Sequence, residues 1–219
     1  ALSLDLSKSN NKQTASKENA RASFLIPIAK AFSTDIGCRV ADIGIQVHGG
    51  MGYVEETGIA QVLRDVRVTA IYEGTNGIQA IDLIGRKLSD NGKAAEALID
   101  EIKVTIGECY DNADQQIKDM GKRLSRSLEC LEISLRWMLK QEDFNERLAG
   151  ASPFLKAFGL ILGGNYLIKA ALKTCSSDRK SLAQFYCLNL LPEMEAYGAM
   201  SKSGKESLYG YSDQFFGFS

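Results

Sequence analysis

Histidine occurs once in this 219-residue chain, as His48, tryptophan occurs once, and there are only three prolines. A single imidazole excludes a metal site built from clustered histidines. The five cysteines, at 38, 109, 130, 175 and 187, are odd in number, form no CxxC pair and sit among helix-forming residues. A disulfide framework or zinc site is therefore not expected, and reduced thiols fit a reducing compartment. Neither sign of charge is in excess: 26 Lys+Arg stand against 27 Asp+Glu, a net charge of −1. Nucleic-acid binding has no electrostatic basis in that balance. No basic tract or basic amphipathic face points to a membrane surface, and no membrane span is expected. The opening residues contain no apolar run long enough for a signal peptide. They also lack an initiator Met, so the chain reads as a piece of a longer protein.

What is present favours helix. Hydrophobic residues make up 45% and charged residues 24% of the chain, ordinary for a globular protein and enough for one large or two small helical units. Long Ala/Leu/Lys/Glu-rich stretches favour helix over strand. The expected fold is all-α, a helical bundle followed by a second antiparallel bundle. Residues 1–16 are rich in Ser, Asn and Lys and read as a flexible lead-in. Pro27 suits a first helical turn, so a helix is expected from near Ile26 to near Gln46. Ile28, Ala31, Phe32, Ile36, Val40, Ile43 and Val47 recur along it at three- and four-residue steps, as one buried face requires. Further helices are expected at about 56–66 and 76–88. The turn Asp90-Asn91-Gly92 then separates a first domain, 17–91, from a second, 92–201. In the second, helices are expected over about 93–120, 122–148, 153–174 and 178–200, with Ser152 and Pro153 as N-cap and N1 of the third. Residues 202–219 read as a flexible tail.

Two segments interrupt this grammar with glycines and polar groups. The first is Gln46-Val47-His48-Gly49-Gly50-Met51-Gly52-Tyr53. The second is Ile71-Tyr72-Glu73-Gly74-Thr75-Asn76-Gly77-Ile78-Gln79. Glycines at a helix end can bring backbone N–H groups against an anionic ligand, although such a break is more often a plain C-cap. A carboxylate on a glycine-flanked turn can face a cleft of low polarity and act as a base, although a glutamate near a helix start more often serves the helix dipole.

Together with Leu63-Arg64-Asp65, these two segments resemble in order and spacing the C-terminal helical domain of the acyl-CoA dehydrogenase family. The resemblance is strong over about residues 24–90. Phe185-Tyr186 and Leu190-Leu191-Pro192-Glu193 are similar to the extra C-terminal helical domain of larger members. The resemblance implies that Glu73 is the catalytic base and that Gly74 lies against the thioester end of an acyl-CoA substrate. It implies that Thr75 and Asn76 contact the flavin of FAD, and that Gln46, Gly49 and Gly50 meet its pyrophosphate side, often in a neighbouring subunit. His48 receives no chemistry, and Arg64-Asp65 a structural role. The implied reaction forms a trans-2-enoyl-CoA, with an electron-transfer flavoprotein as acceptor and a homodimer or homotetramer as the assembly. The expected location is the cytoplasm of a bacterium, or the mitochondrial matrix in a eukaryote. The family's N-terminal helical and middle β-domains have no counterpart in these residues, so the chain alone is expected to be inactive. Two other readings exist. One is a non-catalytic helical module for oligomerisation or partner binding. The other is a relative adapted to DNA-alkylation response, which the balanced charge disfavours.

Overall fold

The computed structural model describes residues 2–9, 11–174 and 176–211, and among them it contains helices and no strand. The all-α expectation is met. Cys175 and residues 212–219 of the expected tail lie outside the described residues. Two compact units divide between Leu83 and Ile84. The first holds α1 (Leu2–Leu6), α2 (Lys12–His48), α3 (Gly50–Tyr53), α4 (Ile59–Thr69) and α5 (Asn76–Asp82). A π-helical turn, Leu83–Lys87, leads on to α6 (Lys93–Tyr110), α7 (Gln115–Lys140), α8 (Phe144–Ala149) and α9 (Ala151–Thr174). The second unit closes with α10 (Ser177–Asn189), α11 (Glu193–Met200) and α12 (Glu206–Tyr209). Composition changes at Asp90-Asn91-Gly92, where Asn91 and Gly92 both take positive φ, whereas packing changes earlier, within the π turn.

α2 starts inside the segment read as a lead-in. The Asn11 side chain accepts from the Gln13 and Thr14 N–H groups at 3.0 and 3.3 Å, and the residues that follow are strong helix formers. Pro27 therefore falls within the helix, not at its start. An interior proline costs about 3 kcal/mol, offset here by burial of Phe24, Pro27, Ile28 and Ala31.

The apolar stripe of α2 is the larger correction. Ile28 and Ala31 are buried, but Ile36, Val40, Ile43 and Val47 are 37–79% exposed. The face that packs against α4 is instead made of small residues. A Cβ on Gly37 would lie 3.0 Å from Val66, and one on Gly44 would lie 3.3 Å from Ile59, with buried Ala41 between them. Cys38 Sγ reaches the Val66 carbonyl at 3.9 Å. Small side chains let two helix backbones approach closely, and that approach turns the larger aliphatic residues outward.

In the second unit, Ile117, Met120, Leu124, Leu128, Leu131, Leu135 and Met138 form the buried stripe of α7. They meet Leu98, Ile102 and Ile106 of α6 and Phe154, Phe158 and Ile161 of α9. α6 stops at Tyr110, short of the expected Met120, because the Asp114 carboxylate accepts from the Gln116 N–H at 2.8 Å and starts α7. Gly121 lies inside α7, where a Cβ would come 2.6 Å from that of Cys109. The last expected helix is split in two at Leu190-Leu191-Pro192, since proline and its predecessor resist helix continuation. Among the described residues, α9 alone is long and apolar enough to cross a membrane. Phe154, Leu155, Phe158 and Ile161 at 0–2% exposure make it the central core helix of this unit.

The expectation of reduced thiols acquires a location. Cys109 and Cys187 are buried, while Cys38 and Cys130 are half-buried. Burial pushes the Cys109 thiol from 9.0 to about 11 and the Cys187 thiol to about 12. Both groups keep their proton to higher pH in the folded state than in the unfolded chain. Their contribution to stability is thus complete below pH 9 and is lost as pH rises towards these values. Urea unfolding at pH 8 and at about pH 10.5 should show a lower midpoint at the higher pH. That loss should shrink in a Cys109→Ala/Cys187→Ala double variant, and an equal loss in both proteins would dismiss the thiols as its cause.

Candidate active site

α2 ends at His48 because Gly49 takes φ +60°, a left-handed conformation that suits glycine. The Gly49 N–H donates to the Gln46 carbonyl at 3.1 Å, and Gly50 begins α3. A Cβ added at Gly49 or Gly50 would meet nothing within 4 Å, so both stretches of main chain lie open. Gly52 differs, since a Cβ there would come 2.3 Å from the Ile45 carbonyl oxygen. Its glycine is a packing requirement. His48 turns back on its own helix, with Nδ1 2.8 Å from the Gly44 carbonyl oxygen. Arg64 on α4 donates from its two terminal nitrogens to both Glu55 oxygens at 2.8 Å each. This fork ties the turn Glu55–Thr57 to α4, and hydrogen bonding and charge from Arg64 hold the Glu55 carboxyl below its usual range. Arg64 is thus structural as expected, through Glu55. An open groove of about 600 Å³ runs here between Ile45, Tyr53, Leu63 and Arg64. Glu73 does not line it.

The second segment joins α4 to α5. Glu73 takes φ +53° and Gly74 takes φ +85°. Glycine tolerates that region, whereas for glutamate it costs about 1–2 kcal/mol and persists only when neighbours hold it. Three hydrogen bonds hold it. Gln79 Nε2 donates to the Glu73 carbonyl at 3.0 Å, and Lys30 Nζ donates to the Gly74 carbonyl at 2.8 Å. The Asn76 N–H closes the loop on the Ala70 carbonyl at 3.2 Å. Thr75 caps α5, its hydroxyl oxygen accepting from the Ile78 N–H at 3.4 Å.

Asn76 directs its side chain into α2. Its Nδ2 reaches Asp35 Oδ1 at 2.6 Å, Thr34 Oγ1 at 3.0 Å and the Ala31 carbonyl at 3.2 Å. Its Oδ1 accepts from Lys30 Nζ at 2.9 Å. Both amide hydrogens are therefore engaged within the protein, and Asn76 acts as a latch between loop and helix.

Glu73, Gly74, Thr75 and Asn76 thus form one cluster, and Gln46, Gly49 and Gly50 form another. The latch at Lys30 and the glycines at Gly49 sit on the same helix, about 28 Å apart at 1.5 Å per residue. Sequence reasoning missed Lys30, Thr34, Asp35 and Gln79. The available signal was a polar i, i+4 pair, Lys30 and Thr34, beside the apolar positions of α2.

A family model described as acyl-CoA dehydrogenase, C-terminal domain, matches residues 3–89. A second, described as acetyl-CoA dehydrogenase C-terminal like, matches residues 98–211. The chain belongs to the acyl-CoA dehydrogenase family. It is 38% identical over 172 residues to a 3-methylmercaptopropionyl-CoA dehydrogenase of Ruegeria pomeroyi, covering 77% of this chain and 29% of the relative. It is 38% identical over 201 residues to a butyryl-CoA dehydrogenase of Syntrophomonas wolfei, covering 81% and 32% respectively. The human mitochondrial very long-chain specific acyl-CoA dehydrogenase is 36% identical over 99 residues, covering 45% and 14%. The chain therefore spans about a third or less of these relatives, all of them oxidoreductases, and is part of an enzyme of that kind.

Proposed function

We propose that the full-length protein carrying this chain oxidises an acyl-CoA to a trans-2-enoyl-CoA, with Glu73 removing the α-proton. The observation that supports this most is the pairing of a carboxylate and an open backbone donor on one residue. Glu73 is exposed, and among the described residues its N–H has no acceptor within the chain. An α-proton is far too weakly acidic for a carboxylate in water, so charge developing on the thioester oxygen must be met by preorganised donors. The Glu73 N–H is such a donor, and Gly74, without a side chain, lets the thioester approach the main chain.

The family is generally FAD-dependent, and FAD when bound would take up the β-hydrogen as hydride. The residues present fit that group. Gly49 and Gly50 leave their main chain open, and the exposed Gln46 and Thr75 would complete the contacts, while Asn76 serves by fixing Thr75. The ~28 Å of α2 between the two clusters exceeds the span from a flavin ring to its pyrophosphate. This supports a homodimer or homotetramer in which the glycine segment of one subunit serves the cofactor of another. The exposed Ile36, Val40, Ile43 and Val47 are consistent with such burial. An electron-transfer flavoprotein is the acceptor that the family suggests. With Glu73 exposed, the 219-residue chain alone is expected neither to retain FAD nor to turn over.

Anaerobic titration of the full-length flavoprotein with butyryl-CoA, 3-methylmercaptopropionyl-CoA and a long-chain acyl-CoA tests the reading. Flavin bleaching by at least one of them, with the matching enoyl-CoA as product, is the expected result. A full-length protein that holds no flavin, or never bleaches with any of the three, would favour the helical interaction module instead.

A further inference from the structure

We propose that Lys30 is a positioning residue for the base, setting the conformation of the Glu73 loop from the rigid frame of α2. The inference rests on the reading of Glu73 as base. Consecutive left-handed residues at 73 and 74 are not what a free loop adopts, and glutamate in particular would relax to negative φ. A change of φ at Glu73 swings its carboxylate and redirects its N–H, the two groups the reaction needs. The loop is anchored from both sides. Within its own segment, Gln79 grips the Glu73 carbonyl. From 44 residues away in sequence, the Lys30 ammonium grips the Gly74 carbonyl at 2.8 Å. The same ammonium donates to Asn76 Oδ1 at 2.9 Å, and Asn76 is itself bound to Asp35 at 2.6 Å. Two of the three ammonium hydrogens thus cross from helix to loop in charge-assisted bonds.

Lys30 is half-buried and the Gly74 carbonyl is exposed, so water can replace the lost donor. Removing the ammonium should therefore cost little stability while loosening the geometry of the base. Misplacement of a reacting group by about 1 Å can lower a rate by ~100-fold. The role differs from that of Thr34 and Asp35, which meet Asn76 but not the Gly74 carbonyl.

The test uses the full-length holoenzyme as Lys30→Met, which keeps the aliphatic stem, as Lys30→Arg, and as Glu73→Gln for reference. Four quantities are read: flavin content, the anaerobic bleaching rate against acyl-CoA concentration, substrate α-hydrogen exchange in D2O, and amide hydrogen exchange over residues 70–78. Lys30→Met is expected to keep its flavin and a nearly unchanged KM. It should lose roughly 10- to 100-fold in both bleaching and α-exchange, with faster amide exchange confined to the loop. Lys30→Arg should recover most of the rate. Wild-type rates in Lys30→Met would overturn the proposal. So would a rate loss that merely tracks lost flavin or general unfolding and is not recovered by arginine. Normal turnover in Glu73→Gln would remove the base reading itself, and with it any catalytic meaning for Lys30, whatever the loop exchange shows.

Discussion

Glu73→Gln in the full-length protein should retain flavin and fold yet lose turnover by about 10³-fold or more, the upper part of the range for a general base. The substitution is isosteric, and the loop is held through main-chain atoms. Gln79 binds the Glu73 carbonyl and Lys30 binds the Gly74 carbonyl, so neither hold depends on the Glu73 carboxylate. Loss of the proton acceptor is then the only sizeable change. The Glu73 N–H survives, so substrate should still bind and the defect should lie in kcat. Stopped-flow bleaching with the best acyl-CoA measures this directly. A variant that bleaches at the wild-type rate would show that another group takes the proton.

The largest effect on stability is expected at Gly150, between α8 and α9. A Cβ there would lie 2.1 Å from the Ser201 carbonyl oxygen and 2.6 Å from Met138 Cε. Met138 is fully buried and Ser201 ends α11, so neither neighbour can step aside without disturbing the core. Gly150→Val should destabilise the second unit by roughly 3 kcal/mol, lowering its melting temperature by roughly 10 °C. Gly107→Ala is the control. It lies in the last turn of α6 with nothing within 4 Å of the new carbon, and should leave stability unchanged or raise it by up to about 0.5 kcal/mol. Differential scanning calorimetry of both variants decides the matter. Equal melting temperatures would mean that the α8–α9 junction repacks freely.

Helix was legible from composition, and both glycine-bearing interruptions were legible because nothing else in an amphipathic pattern explains them. The loop before α5 illustrates this well, since Gly74 and the capping Thr75 do what their residue types suggest. Which face of α2 is buried was not legible. Periodicity marked Ile36, Val40, Ile43 and Val47 as one stripe, but it carries no information on what meets a stripe. Gly37, Ala41 and Gly44 rank low on any hydrophobic scale and yet form the closest packing. The start of α2 was missed because a proline was read as a beginning when the Asn11 cap and upstream propensity outweighed it. Gly121 falls in the gap between the expected helices 93–120 and 122–148, yet it lies inside α7, where only a glycine admits Cys109. Lys30 could not be assigned at all, since a lysine on an exposed helical turn looks the same whether it faces water or a carbonyl far along the chain.

The bond from Lys30 to Gly74 also has a bearing on the order in which the molecule acquires its shape. Hairpins such as α6–α7 join neighbours in sequence and need little chain to be brought together. The Lys30–Gly74 link closes a segment 44 residues long, and the entropy lost in closing a loop grows with its length. During synthesis α2 leaves the ribosome well before its partner carbonyl exists. The turn that carries Glu73 is therefore expected to be among the last parts of the first unit to reach its final geometry.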